Sequence, residues 1–428
     1  MLDIKFVKEN KELVKENIKK KFQDQKLPLV DEVVEIYDKV CLLKLEGDNL
    51  RSEKNQASSQ IGLLMREGKK DDAEELKKKV VEINERLTSL EKEEVELNTI
   101  LRAKMMIIPN IIDSTVPIGK DDSCNVEIEK FGEPVVPDFE VPYHADILAS
   151  ISGLDKDSAG RTSGNGFYYL MGDAARIHSA MLSYARDFMI DKGFTYCIPP
   201  FMIRSDVVNG VMSFEEMDAM MYKIEGEDLF LIGTSEHSMI GRFKGQIVDE
   251  ASLPITLTSY SPCFRKEVGA HGIEERGVYR VHQFEKQEMV VLCKPDESMD
   301  WYNKMWSYTV EFFRSLDIPV RTLECCSGDL ADLKVKSCDV EAWSPRQKKY
   351  FEVGSCSTLG DAQARRLGIR TKGENGTYLV NTLNNTVLAS PRGLIAFLEN
   401  NVQKDGSILI PKALQPYMGG KEVIKPNK

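Results

Sequence analysis

Between residues 33 and 101, apolar side chains recur in alternating steps of three and four. Only α-helices that bury one continuous seam use this spacing. The first run is Val33, Ile36, Val40, Leu43, Gly47, Leu50, Lys54, Ala57, Ile61 and Leu64, of which eight of ten are apolar. A polar break, Arg66-Glu-Gly-Lys-Lys-Asp71, interrupts it. The pattern resumes at Ala73, Leu76, Val80, Ile83, Leu87, Leu90, Leu97 and Leu101. Two such segments joined by a short Gly-containing turn predict an antiparallel helical hairpin, an arm of roughly 50 Å at 1.5 Å rise per residue. A further helix is expected over about Phe6–Phe22, carrying the basic run Lys19-Lys20-Lys21. An arm of this kind serves equally as a dimerisation device or a spacer, so its use depends on the domain attached to it.

Pro109 closes the second segment, since proline cannot continue a helix. Beyond it the texture changes to alternating strands and helices with frequent turn residues. This places a domain boundary near residue 110, with an arm over 1–110 and a second domain over 111–428. At 428 residues two domains are the expected minimum. No stretch approaches the ~20 apolar residues of a membrane helix, and Met1–Asn10 mixes charges with no apolar core, unlike a signal peptide. The expected location is the cytoplasm, with no membrane partner. The nine cysteines form no C-x-x-C pair, which favours reduced thiols over zinc or disulfides. The net charge of −11 argues by itself against nucleic acid. It is unevenly spread, however. Residues 1–110 hold 22 Lys/Arg against 23 Asp/Glu, so nearly all the excess lies in the second domain.

The segment with most chemistry is Ser261-Pro-Cys-Phe-Arg265-Lys-Glu267, a loop, then Val278-Tyr-Arg280-Val-His282-Gln-Phe284-Glu-Lys-Gln-Glu288. Both flanks read as strands of a hairpin. Alternation then puts Arg265 with Glu267 on one face, and Arg280, His282, Phe284 and Glu288 together on the return strand. Such a surface is expensive to bury unpaired. It suits a ligand with a carboxylate or phosphate for the Arg fork, an ammonium or hydroxyl for the Glu, and a flat base for the Phe ring. An ordinary ion-pair ladder is the competing explanation.

These residues resemble motif 2 of the class II aminoacyl-tRNA synthetases, in the form found in seryl-tRNA synthetases. Other marks come in family order. Gly193-Phe-Thr-Tyr-Cys-Ile-Pro-Pro200 resembles motif 1, the dimer-forming element. Thr234-Ser-Glu236 resembles the serine-contacting T-x-E loop. Phe351-Glu352-Val-Gly-Ser355 resembles the segment that holds ATP and magnesium, and Gln363-Ala-Arg-Arg366 is also family-like. Asn381-Thr-Leu-Asn384-Asn-Thr386 with Arg392 resembles motif 3. The resemblance covers nearly the whole chain.

It implies an α+β fold, a class II antiparallel sheet flanked by helices, with the hairpin as a tRNA-binding arm. It implies a ligase that activates serine with ATP and transfers it to the 3′ end of tRNA(Ser), and of tRNA(Sec) as well, in a homodimer. By the same resemblance Arg265, Glu267 and Arg392 are catalytic, and Thr234, Glu236, Arg265, Glu288, Asn384 and Thr386 take serine. ATP falls to Arg265, Lys266, Glu267, Val281, Phe284, Glu352, Val353, Gly354, Ser355 and Arg392. Adenine lies between Phe284 and Arg392, and Glu352 with Ser355 holds Mg2+. Three marks depart from the pattern. Cys197 stands at a usually aliphatic position of motif 1. Thr358, Leu359 and Ala362 replace an Asn, a Cys and an aromatic, and motif 3 reads Val387-Leu-Ala-Ser-Pro391 without its usual glycines. An enzyme of the same fold that charges a carrier protein, and a pure coiled-coil interaction protein, remain as other readings at this point.

Overall fold

The computed structural model describes residues 1–266, 277–374 and 376–427, and they form two compact units, Met1–Pro109 and Asn110–Lys428.

In the first unit the heptad segments are the helices Leu27–Arg66 and Lys70–Met105. Pro28 sits in the first turn, where its missing N–H costs nothing. The turn between the helices uses Gly68 at a φ of 80°, a backbone state open to glycine. Every seam residue of both segments is buried or half-buried, with Val33, Val40, Gly47, Ala57, Ala73, Ile83, Leu87, Leu90 and Leu101 buried. The flanking ion pairs Lys104–Glu32 (2.6 Å), Lys44–Glu94 (3.5 Å), Arg51–Glu91 (3.3 Å) and Lys79–Glu53 (2.5 Å) join rising numbers on one helix to falling numbers on the other, as an antiparallel hairpin requires. The expected single helix over Phe6–Phe22 is instead two, Ile4–Glu9 and Lys11–Lys20. Asn10 breaks it by turning its side-chain amide onto the Phe6 carbonyl at 3.0 Å. Lys21 is buried, so the basic run does not present all three ammonium groups.

The second unit is organised by eight strands. They are β1 (Val126–Phe131), β2 (Thr195–Tyr196), β3 (Ile255–Phe264), β4 (Gln283–Cys293), β5 (Val320–Glu324), β6 (Lys336–Ser344), β7 (Lys349–Thr358) and β8 (Asn381–Ser390). Their order in the sheet is β1-β5-β6-β7-β8-β4-β3-β2. Every neighbouring pair is antiparallel except β2 with β3. The main core lies between this sheet and helices that include Gly172–Asp191, Ser298–Ser315 and Arg392–Asn401, with Met181, Phe312, Phe313, Val291 and Phe397 almost wholly buried. Each such side chain contributes about 1.5–3 kcal/mol through burial. Among the described residues, no helix is long and apolar enough to cross a membrane.

Two irregularities of this sheet shape the site. In β7, Gly354 pairs with Val340 and Glu352 with Glu341, so Val353 is an extra residue. In β8, Val387 is the extra residue between Thr386 and Leu388. A bulge of this kind resets which face the subsequent side chains point to.

Candidate active site

Strand β4 begins at Gln283, not at Val278 as alternation had suggested. The preceding stretch is pinned by individual bonds. The Val278 N–H donates to His144 Nε2 at 3.1 Å, and Lys156 Nζ donates to the Gly277 carbonyl at 2.9 Å. A side chain at Gly277 would lie 2.2 Å from His144 Nε2, so the position needs glycine. Burial lowers the His144 pKa to about 3, keeping the ring neutral and able to accept. Further along, the His282 N–H donates to the Gly166 carbonyl and the Arg265 N–H to the His282 carbonyl, both at 2.9 Å. His282 Nδ1 lies 3.1 Å from the Tyr222 hydroxyl and 3.0 Å from the Arg265 carbonyl. Its work is to hold the loop. Arg280 and His282 therefore do not share a strand face with Phe284. The expected face continues only through Phe284, Lys286 and Glu288.

Arg265 comes directly after the end of β3. Its Nε donates to the Gly233 carbonyl at 3.3 Å, and its guanidinium lies 5.3 Å from the centre of the Phe284 ring. Across a shared cavity, the Arg392 guanidinium stands 4.7 Å over Tyr279 and pairs with Glu352 Oε2 at 2.8 Å. Val281, Phe284, Glu352, Val353, Gly354 and Arg392 line this cavity with Arg265, Tyr279, Lys286 and Thr386. Gly354 is required by close approach, because a Cβ there would sit 2.9 Å from the Thr386 carbonyl.

The bulge at Val353 explains an awkward spacing. Glu352 and Ser355 are three apart, which in a regular strand puts them on opposite faces. Here Phe351 and Val353 face the core before the bulge and Cys356 faces it afterwards, so Glu352 and Ser355 share the other face. Asp339 stands opposite Ser355. Burial, and then the nearby Glu352 carboxylate, push its pKa up to about 6. An all-oxygen set with two carboxylates fits a hard divalent cation.

A second pocket wall is charged and deeply buried. Lys286 Nζ lies 2.6 Å from Glu288 Oε2, with side chains only 8% and 2% exposed. Thr386 Oγ1 donates to Glu288 Oε2 at 3.1 Å and receives a bond from Lys286 Nζ at 3.3 Å. Thr234 caps the helix Ser235–Gly241, its hydroxyl accepting from the Glu236 N–H. Glu236 is recessed and only partly accessible. Burial and the neighbouring Glu288 raise its pKa to about 7, against smaller opposing effects of Gln363, Lys286 and Lys334.

Asn384 shares with Thr386 the face of β8 opposite Asn385, whose amide is bound to Met305 and Thr309 on the helix Ser298–Ser315. Lys266 does not line the cavity with Arg265. Its ammonium donates to the Asp218 carbonyl at 3.2 Å. Glu267 and His271 lie outside the described residues. Cys263 is fully buried, with its thiol pKa raised chiefly by desolvation, which suits packing and not attack. The divergent Leu359 and Ala362 close their wall as an apolar cluster with Leu333, and the Thr358 hydroxyl pairs with Ser298 at 2.9 Å.

Three residues of the site were not singled out from sequence. Tyr279 carries no periodic signal. Lys286 did carry one, since it continues the two-residue alternation between Phe284 and Glu288. Gln363 was noted only as part of a family-like string.

Residues 1–112 match the seryl-tRNA synthetase N-terminal domain, and residues 220–401 match the class II tRNA synthetase core domain (G, H, P, S and T). The serine--tRNA ligase of Methanocella arvoryzae is 38% identical over 428 residues, covering 99% of this chain and 100% of that protein. This chain belongs to the seryl-tRNA synthetases. Solved structures agree. The Pyrococcus horikoshii seryl-tRNA synthetase complexed with ATP superposes with a TM-score of 0.94 at 37% identity, covering 100% of both chains. The cytoplasmic serine-tRNA ligase of Naegleria fowleri in complex with AMP gives 0.89 at 30% identity, covering 100% of this chain and 99% of that one. The class II α+β fold expected from the motifs is thus the fold observed.

Proposed function

We propose that this seryl-tRNA synthetase condenses serine with ATP to seryl-adenylate and pyrophosphate, then passes the seryl group to the 3′ end of tRNA(Ser). Charging of tRNA(Sec), a cytoplasmic location and a homodimer built on the Gly193–Pro200 segment belong to the same reading. The observation that carries it is the buried constellation of Glu288, Lys286 and Thr386 beside the recessed Glu236. It offers two carboxylates against one fixed ammonium, so a ligand bringing its own ammonium and a hydroxyl completes it. Serine has both.

In this reading the serine carboxylate lies toward Arg265 and attacks the α-phosphorus of ATP in line. Catalysis is then mainly positioning and charge neutralisation. Arg265 spans serine and the α-phosphate. Adenine enters between Phe284 and Arg392, which requires Arg392 to exchange Tyr279 and Glu352 for nucleotide, with its charge turned to the γ-phosphate as well. Val281, Val353 and Gly354 form the walls, and Asn384 joins Thr234, Glu236, Glu288 and Thr386 around serine. Glu352 and Ser355 would hold Mg2+, whose contribution is to neutralise charge on the phosphate oxygens. Glu267 completes the nucleotide side as the resemblance implies, and Lys266, held on the Asp218 carbonyl, is left out of it.

The test is ATP–pyrophosphate exchange with each amino acid in turn. Serine drives it, and alanine and glycine trail by roughly 10⁴ or more, because they leave buried hydrogen-bonding groups unpaired. Threonine is rejected less strongly, by its methyl group. Another amino acid outpacing serine would overturn the substrate assignment.

Glu352→Ala is expected to shift the magnesium titration of exchange to higher concentration while leaving serine KM near native. The Glu352–Arg392 pair is 45% and 25% exposed, so its loss costs the fold at most ~1 kcal/mol. An unchanged magnesium titration removes Glu352 and Ser355 as metal ligands.

A further inference from the structure

Gln363 lies on the short helix Ala362–Leu367 and is fully buried. Its side-chain amide is satisfied at both ends. Nε2 donates to Glu236 Oε1 at 2.8 Å and to the Val211 carbonyl at 3.2 Å. Oε1 accepts from Thr382 Oγ1 at 2.6 Å, and Thr382 is itself 1% exposed. Two acceptors at one end and a hydroxyl donor at the other leave one orientation of the amide. The helix is seated independently of this bond. Ala364 and Leu367 pack with Val211, Met239 and Ile240, and Arg366 NH1 donates to the Met212 carbonyl at 2.8 Å.

We propose that Gln363, oriented by Thr382, is a positioning residue that aims the Glu236 carboxylate at the ammonium of serine and thereby sets serine affinity. The proposal rests on the reading of Glu236 as a serine ligand. Its physical basis is the crowding of charge. Glu236 meets Glu288 and Lys286 from β4 and feels Lys334, while the helix Ala362–Leu367 turns the neutral Gln363 amide to it. With Glu288 already paired to Lys286, Glu236 is the carboxylate without an ion pair among the described residues, and the Gln363 N–H does more than the more distant Lys286 and Lys334 to favour its ionised form. Serine binding then supplies the cation and releases a proton. Serine KM therefore falls as pH rises through about 7, the region to which burial and Glu288 bring this carboxyl. Without the Gln363 bond that midpoint moves up.

The experiment measures serine KM, ATP KM and kcat of pyrophosphate exchange across pH for Gln363→Ala, Thr382→Val, Thr382→Ser and Glu236→Gln. Gln363→Ala is expected to raise serine KM about tenfold or more, as loss of a hydrogen bond to a charged group does. ATP KM should stay near native and the pH midpoint should rise. Thr382→Val leaves the Gln363 oxygen unpaired and frees the amide to shift away from Glu236, so it raises serine KM and the pH midpoint in the same direction, whereas Thr382→Ser keeps the hydroxyl and restores native behaviour. A merely structural Gln363 would lower the melting temperature and weaken both substrates without moving the pH midpoint. Should Gln363→Ala fail to fold, the two Thr382 variants decide. An unchanged serine KM in Glu236→Gln defeats the underlying reading of Glu236. A raised KM in Glu236→Gln, with native KM and pH midpoint in Gln363→Ala and Thr382→Val, overturns the present proposal alone.

Discussion

Replacing Arg265 with alanine lowers kcat for serine-dependent pyrophosphate exchange by about 10²–10³-fold, the usual effect of removing one preorganised donor from a developing negative charge. Among the described residues this side chain has one 3.3 Å bond to the Gly233 carbonyl and a face contact with Phe284. Neither is a buried ion pair, so the fold survives its loss and the melting temperature stays close to native. Arg265→Lys should fall between the two. It keeps a positive charge but loses the planar fork that can bind a carboxylate and a phosphate oxygen together. The measurement is exchange kinetics alongside thermal melting. Near-native turnover in Arg265→Ala would remove this residue from the reaction, and a collapsed melting temperature would reassign it to structure.

Deleting Val33–Leu101 and rejoining the chain separates the two half-reactions. The seam of the hairpin is satisfied within the hairpin itself, by the buried residues of its own two helices. The residues of the proposed adenylate site and the main core around Met181, Phe313 and Phe397 all lie beyond residue 110. Serine-dependent exchange therefore persists in the shortened protein, reduced at most modestly. Transfer to tRNA is expected to collapse if the arm, as proposed, supplies the shape and backbone contacts by which structured RNA is gripped. Binding of tRNA by the intact protein also weakens steeply with salt, as counterion release demands. The net charge of −11 does not oppose this, since residues 1–110 are close to balanced. Near-native charging of tRNA(Ser) by the shortened protein would reduce the arm to a spacer and reopen the carrier-protein reading.

Two periodicities made most of the architecture legible in advance. The three–four spacing of Val33 to Leu101 specifies helices with one apolar seam, and the Gly68 turn forces them back on each other. This physics is local and needs no knowledge of the rest of the chain. Motif order did the same for the catalytic domain, and the strand alternation through Phe284 and Glu288 put a ring and a carboxylate on one surface.

Tertiary structure decided where alternation stops and where it is reset. The stretch from Val278 to His282 has strand-like composition, yet it is held by His144 and Gly166, partners far away in sequence. No window of local sequence contains them. The extra residue at Val353 brings Glu352 and Ser355 to one face, and a bulge is a property of two paired strands, not of one. The charge state of the pocket was hidden for a related reason. Glu236 meets Glu288, Lys286 and Gln363 only after the fold has brought three separate segments together. The sequence alone thus determined which elements form and which chemical groups the protein carries. The fold decided which of those groups face one another, because burial and pairing depend on distances that only the folded chain defines.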